Sequence, residues 1–164
     1  MPIPRPGQTT PTFQLTTSQG EPLSLEGALG KGPLVLGFFK VSCPTCQYTF
    51  PFLERLHQQV NGRGAQIWGI AQDNAQHAAQ FAQSFGITFP ILIDDSPYKT
   101  SRAYGLEHVP TLFLIAPDGR IELSREGFCK SELAAMQKSL AQSLSIVPSA
   151  LFRPDERVPE YKPG

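Results

Sequence analysis

The chain has 164 residues, 40% of them hydrophobic and 17% charged, which is enough apolar surface for one core and too little length for two ordinary domains. Lysine plus arginine and aspartate plus glutamate total 14 each, so the formal charge is zero and no basic run offers a footprint for nucleic acid. The opening Met1-Pro2-Ile3-Pro4-Arg5-Pro6-Gly7 lacks an apolar leader core, and no stretch reaches the roughly 18 apolar residues of a membrane span; the expectation is a cytoplasmic protein with no membrane partner, or a periplasmic one if a leader was removed.

Residues 1–10 form a Pro-rich lead. Thr12 to Gly20 and Pro22 to Leu25 alternate apolar and polar residues around a Ser-Gln-Gly turn, which predicts a β-hairpin. Leu34-Val-Leu-Gly-Phe-Phe39 is a continuous apolar run suited to a strand buried on both faces. A helix follows from Cys46 with Phe52, Leu53, Leu56 and Val60 at helical spacing and Asn61-Gly62 as its stop. Ala65 to Ala71 reads as a strand, Asp73 or Asn74 as the cap of a helix with Ala78, Ala82 and Phe85 on one face, and Phe89 to Ile93 as another strand. Ser96-Pro97 suits the cap and first position of a short helix ending at Gly105. Thr111 to Ala116 and Arg120 to Ser124 flank a Pro-Asp-Gly turn, and a last helix carries Leu133, Met136, Leu140 and Leu144. The domain thus covers 11–146, and a Pro-rich, charged tail, extended or partly ordered, covers 147–164. This order predicts an α/β fold: a central mixed sheet with helices on both faces and the N-terminal hairpin as an extension.

Three cysteines is an odd count, and two of them, Cys43 and Cys46, separated only by Pro44 and Thr45, sit too close together to staple distant segments. This spacing also serves zinc sites, but those need four ligands, and Cys129, His57, His77 and His108 provide no second close pair. No metal or cofactor is expected. The pair sits between a buried strand and a helix start, where free amides and the positive dipole end stabilise a thiolate, the attacking species in disulfide exchange. Cys43, at the helix tip, is the expected nucleophile and Cys46, one turn in, the resolving thiol. Pro44 suits an early helical position, and the Thr45 hydroxyl is available to a nearby sulfur.

With these features the sequence resembles the thioredoxin-like superfamily, in the TlpA-like branch that overlaps the alkyl-hydroperoxide-reductase/thiol-specific-antioxidant group. Phe38 to Cys46 stands where that family has its strand and active-site motif, Pro51 matches its helix-kinking proline, and Val109-Pro110-Thr111 matches its cis-proline loop. Gly86 to Asp94 and Ala116 to Ile121 resemble its other strand signatures, so the resemblance runs from Pro11 to Leu144. It implies the thioredoxin fold, a cis bond before Pro110, and a role for the Val109 backbone in aligning a substrate strand by β-augmentation. It also implies thiol–disulfide oxidoreductase activity, with a disulfide-containing protein as substrate and an upstream thiol reductant as partner.

The chain departs from the family at two places: Ser42 stands where a tryptophan is common, and Gly37 where thioredoxins bury an acid. Proton transfer to the resolving step then falls to water, to another residue, or to a carboxylate such as Glu54 or Asp73. Two alternatives carry different chemistry. A peroxiredoxin-like thiol peroxidase would use Cys43 on peroxide, but its motif requires Pro and Thr or Ser where this chain has Leu36 and Lys40. A copper-binding module would enlist His108, two residues before Pro110. Cys129, at the start of the last helix, reads as a free thiol; Trp68, Phe38, Phe39, Phe81 and Phe113 read as core; His57 and His77 read as solvated helix residues.

Overall fold

All six residues of the run Leu34–Phe39 are buried, and they form the central strand of the sheet, β3 once the hairpin strands β1 (Gln14–Thr17) and β2 (Pro22–Ser24) are counted. A computed structural model describes residues 2–164 of the chain. On one side β3 pairs in parallel with β4 (Gln66–Ala71), which pairs in parallel with β5 (Ile91–Ile93). On the other it pairs antiparallel with β6 (Thr111–Ile115), followed by β7 (Ile121–Glu126). The hairpin joins beyond β5, so the seven-stranded sheet runs β2-β1-β5-β4-β3-β6-β7. Parallel neighbours need crossovers, supplied by α2 (Pro44–Val60) and α3 (Ala75–Phe85).

The alternation of strand side chains divides the core. Val35 and Phe39 of β3 face α2, α3 and α5 (Lys130–Leu144), among Phe50, Leu53, Leu56, Phe81, Leu133 and Met136. Leu34, Leu36 and Phe38 face the opposite layer, with Phe13, Trp68, Tyr104 and Phe113. Gly37 of β3 and Gly69 of β4 are register partners on the α2 side. A β-carbon on Gly37 would lie 3.3 Å from Phe50 Cζ, and one on Gly69 would lie 3.1 Å from Phe50 Cε2. The two glycines therefore form a dip in the sheet that seats the Phe50 ring and lets α2 approach closely.

Several local expectations need correction. A five-residue helix, α1 (Leu25–Leu29), begins at the end of the first hairpin; Ser24 caps it through the amide of Gly27, and Leu25 and Ala28 are buried. Of the two candidate caps for α3, Asn74 serves, accepting from the His77 amide at 2.8 Å. The short helix α4 (Lys99–Ala103) does not start at Ser96-Pro97, where the peptide bond is cis, but after Tyr98 in the left-handed region. Its first-turn amides are met from outside: buried Asp94 accepts from the amides of Thr100 at 3.2 Å and Ser101 at 2.7 Å, and from the Ser101 hydroxyl at 2.6 Å. This carboxylate replaces a local cap. His57 is not solvated: it is 8% exposed, stacks edge-on against Phe89, and its Nδ1 has no hydrogen-bond partner among the described residues.

Both ends of the chain are tied to this frame. Gly7, Gln8 and Thr10 exchange backbone hydrogen bonds with Gly119 and Ile121, so the lead lies beside the β6–β7 turn. Beyond α5 the described residues form no further helix; Val147 is 92% exposed, but the tail docks again from Leu151 onward at separate points. Leu151 is buried, Phe152 packs on Phe52 at 5.2 Å between ring centroids, and Arg55 of α2 forms a two-pronged ion pair with Glu156, each bond 2.7 Å. Arg55 holds the Glu156 carboxyl down to about 2. The tail ends in β9 (Tyr161–Lys162), which pairs antiparallel with β8 (Phe128–Cys129).

Candidate active site

Cys43 is the N-cap of α2, with Pro44 in the first helical position. Its Sγ takes the cap role usually filled by a side-chain oxygen, accepting from the amide of Cys46 at 3.1 Å. That amide is one of the helix's otherwise unpaired donors, and the sulfur lies at the positive end of a 17-residue dipole. An anionic sulfur is favoured by both. Cys43 is half-buried, whereas Cys46 is fully buried. Burial pushes the Cys46 thiol well above the usual thiol range, and its hydrogen bond with Cys43 adds to this. The two sulfurs therefore differ in access, and no disulfide joins any of the three cysteines.

The Val109–Pro110 peptide bond is cis, as the resemblance implies. The loop is held by the Thr111 hydroxyl donating to the His108 carbonyl at 2.7 Å and by the Gly127 amide donating to the Pro110 carbonyl at 2.8 Å. Val109's carbonyl oxygen lies 3.5 Å from Cys43 Sγ and accepts from it. Pro44 is exposed on the rim. Thr45 is buried, and its hydroxyl does not donate to either sulfur: it donates to the carbonyl of Pro163, in the tail, at 2.7 Å. Sequence reasoning did not reach this contact, because nothing in residues 147–164 signals where they dock.

The position of the missing acid has a physical explanation. At Gly37 a side chain would enter the space filled by Phe50, Leu53 and Leu112, with contacts of 3.2 to 3.4 Å from the β-carbon alone. Of the two carboxylates considered in its place, Glu54 is committed elsewhere, accepting from the amide of Thr88 at 2.8 Å and its hydroxyl at 2.7 Å. Asp73 is tied to the loop that leads into Cys43: its Oδ2 accepts from the Val41 amide at 3.0 Å, and its negative charge makes a minor contribution to the upward shift of Cys46. At the peroxidase-motif positions, Leu36 is fully buried in the core and Lys40 is exposed. His108 is 60% exposed and faces Glu126 at 3.8 Å. Among the described residues no group of three or more His, Cys, Asp or Glu side chains could hold a metal ion. Cys129 caps α5 by position but makes no side-chain cap bond; its Sγ contacts Glu160 Oε2 at 3.4 Å.

Residues 6–124 match the family model of the AhpC/TSA family. The thiol-disulfide oxidoreductase ResA of Bacillus thuringiensis (strain Al Hakam) is 30% identical over 116 residues, 70% of this chain and 66% of that relative, so the match spans just under two thirds of the relative's length. Among solved structures, a Chlorobium tepidum protein provisionally described as the thiol:disulfide interchange protein DsbE superposes with a TM-score of 0.75 at 25% identity, covering 86% of this chain and 99% of that one. The peroxidoxin BcpB of Mycobacterium tuberculosis superposes with a TM-score of 0.68 at 23% identity, covering 89% and 99%, and shares the fold.

Proposed function

The chain belongs to the AhpC/TSA family, and on that premise we propose that it is a thiol–disulfide oxidoreductase whose Cys43–Cys46 pair exchanges electrons with disulfides. The observation that carries this reading is the paired sulfur geometry: a half-buried Cys43 Sγ capped by the Cys46 amide at 3.1 Å, above a fully buried partner thiol. The ResA relative and the DsbE-type neighbour support the same activity.

In the reducing direction, the Cys43 thiolate attacks one sulfur of the substrate disulfide. A mixed disulfide forms, and the other substrate sulfur leaves as a thiolate. Cys46 then loses its proton and attacks Cys43 Sγ, releasing the second substrate thiolate and closing the Cys43–Cys46 disulfide. Two electrons pass to the substrate, and a thiol reductant restores the dithiol by the reverse exchange. Burial of Cys46 makes its deprotonation the demanding step, and Asp73 is the carboxylate assigned to receive that proton, through water. Pro44 and Thr45 shape the helix tip, and the Val109–Pro110 loop presents backbone to the substrate. The substrate is a disulfide-containing protein.

The test is trapping. Cys46→Ser should accumulate a mixed disulfide between Cys43 and one cysteine of an intact disulfide substrate such as insulin, seen by mass, while Cys43→Ser accumulates none. Equal trapping on both variants, or none on either, removes the assigned roles. A peroxide-consumption assay with a thiol reductant separates this reading from a peroxidase, since disulfide exchange predicts insulin reduction without peroxide turnover.

A further inference from the structure

The tail does more than cover α2 and α5. It ends in an extended strand that crosses from β8 to the loop beside Cys43. Phe128 pairs with Lys162 and Cys129 with Tyr161, in antiparallel register. One residue on, the Pro163 carbonyl accepts from the Thr45 hydroxyl at 2.7 Å. Gly164 then lies so close to Val109 that a β-carbon on it would sit 2.1 Å from the Val109 carbonyl oxygen and 2.8 Å from its carbon. That same oxygen is 3.5 Å from Cys43 Sγ.

We propose that β8, the Thr45 hydroxyl and the Val109 carbonyl form a groove for an extended peptide segment of the disulfide substrate, and that Tyr161–Gly164 occupies it as an intramolecular stand-in which the substrate must displace. The inference rests on the reading of Cys43 as the nucleophile. Three features favour a displaceable occupant over a fixed part of the core. First, the strand is held chiefly by backbone: a two-residue ladder, one hydroxyl on a carbonyl, and a close approach that glycine permits. Any extended chain supplies these groups, which is how β-augmentation tolerates varied sequence. Secondly, its side chains stay outside the core. Tyr161 is 47% exposed beneath Arg125, and the Lys162 ammonium sits 4.8 Å from the Tyr48 ring centroid. Thirdly, the strand's anchor precedes it. The Glu160 carbonyl accepts from the Lys130 amide at 2.8 Å and its carboxylate from the Ser131 hydroxyl at 2.5 Å, while Leu151, Phe152 and Glu156 hold the earlier tail. Tyr161–Gly164 can therefore lift while the tail up to Glu160 remains docked. A two-residue strand pair is marginal by itself. Binding of an outside peptide is then weakened by the fraction of chains whose groove is filled.

The experiment uses the full chain with Cys46 and Cys129 changed to Ala, which leaves Cys43 as the sole thiol. Two tail variants are compared with this parent: Gly164→Val, which puts a side chain against the Val109 backbone, and Glu160→Ala, which removes the anchor carboxylate. The probes are a peptide copying residues 157–164, bearing an added cysteine activated as its pyridyl disulfide, and the small reagent dithiodipyridine. Both variants should release pyridinethione about tenfold faster with the peptide, as loss of one or two hydrogen bonds from the closed state would give, and within about twofold of the parent with the small reagent. The same peptide with serine for cysteine, carrying a fluorophore, should bind about tenfold more tightly to both variants by polarisation. Unchanged peptide rates and affinities in both variants, with thermal unfolding unaltered, overturn the proposal. Tighter peptide binding with a Cys43 that reacts with neither probe would retain the groove and remove the nucleophile.

Discussion

Gly37→Asp places an acid at the position where thioredoxins bury one, and the structure predicts damage instead of gain. The new β-carbon would lie 3.2 Å from Leu53 Cδ1, 3.3 Å from Phe50 Cζ and 3.4 Å from Leu112 Cδ2, before the carboxyl group is added. Overpacking of this kind costs about 1–3 kcal/mol. A carboxyl with no hydrogen-bond partner among these side chains costs roughly 1–3 kcal/mol more, even after it takes up a proton. Removing a glycine returns only about 0.4–1 kcal/mol through the unfolded chain. The net loss is about 3 kcal/mol, a large part of the roughly 5–15 kcal/mol that holds a domain together. With a urea slope of about 1–3 kcal/mol per molar, the midpoint should fall by about 1–3 M at constant slope. Phe50→Leu empties part of the dip, so the double variant should lose less than the sum of the singles by at least about 0.5 kcal/mol. A Gly37→Asp midpoint within about 0.3 M of the native one, or strict additivity with Phe50→Leu, would refute the argument that the dip is filled.

Three further outcomes follow from the charges. Asp73→Asn should slow closure of the Cys43–Cys46 disulfide by about tenfold or more while leaving the first attack on a small disulfide within about twofold; equal slowing of both steps in stopped-flow would remove Asp73 from proton transfer. Glu156 has its folded value depressed to about 2 by Arg55, so its contribution to stability is present above its ordinary value of 4.5 and is lost as pH falls from there through about 2. Tail docking, read by hydrogen exchange over 151–162, should loosen across that window, and Glu156→Gln should loosen it at neutral pH already. Burial lowers His57, so the unfolded chain takes its proton first and stability declines as pH drops below 6.5. His57→Leu should flatten that decline in thermal unfolding between neutral pH and pH 5; an unaltered slope would mean the imidazole is solvated.

The parts of the fold that could be read from the sequence are those set by local pattern. Leu34–Phe39 is apolar on both faces and is the central strand, and the Cys43-Pro44-Thr45-Cys46 step follows it because a buried strand must turn into a helix whose tip is left open. His57 is legible from its position, since it falls beside Leu53, Leu56 and Val60 on the buried stripe, although its polarity favours solvent. The cap of α4 was not legible locally, since Asp94 reaches its amides from the end of β5. Nor was the Thr45–Pro163 bond, which spans 118 residues and depends on a tail whose composition specifies no regular structure. Gly37 could be seen as a departure from the family, but only Phe50 seated against it gives the reason.

The most direct test of the central claim is a redox titration of the full-length Cys129→Ala variant, which keeps only Cys43 and Cys46, against graded ratios of oxidised and reduced dithiothreitol, read by intact mass after alkylation. The account predicts one reversible two-electron transition in which two alkylation sites, Cys43 and Cys46, appear and disappear together. A chain that stays doubly alkylated at every ratio, or that oxidises only between molecules, would contradict it.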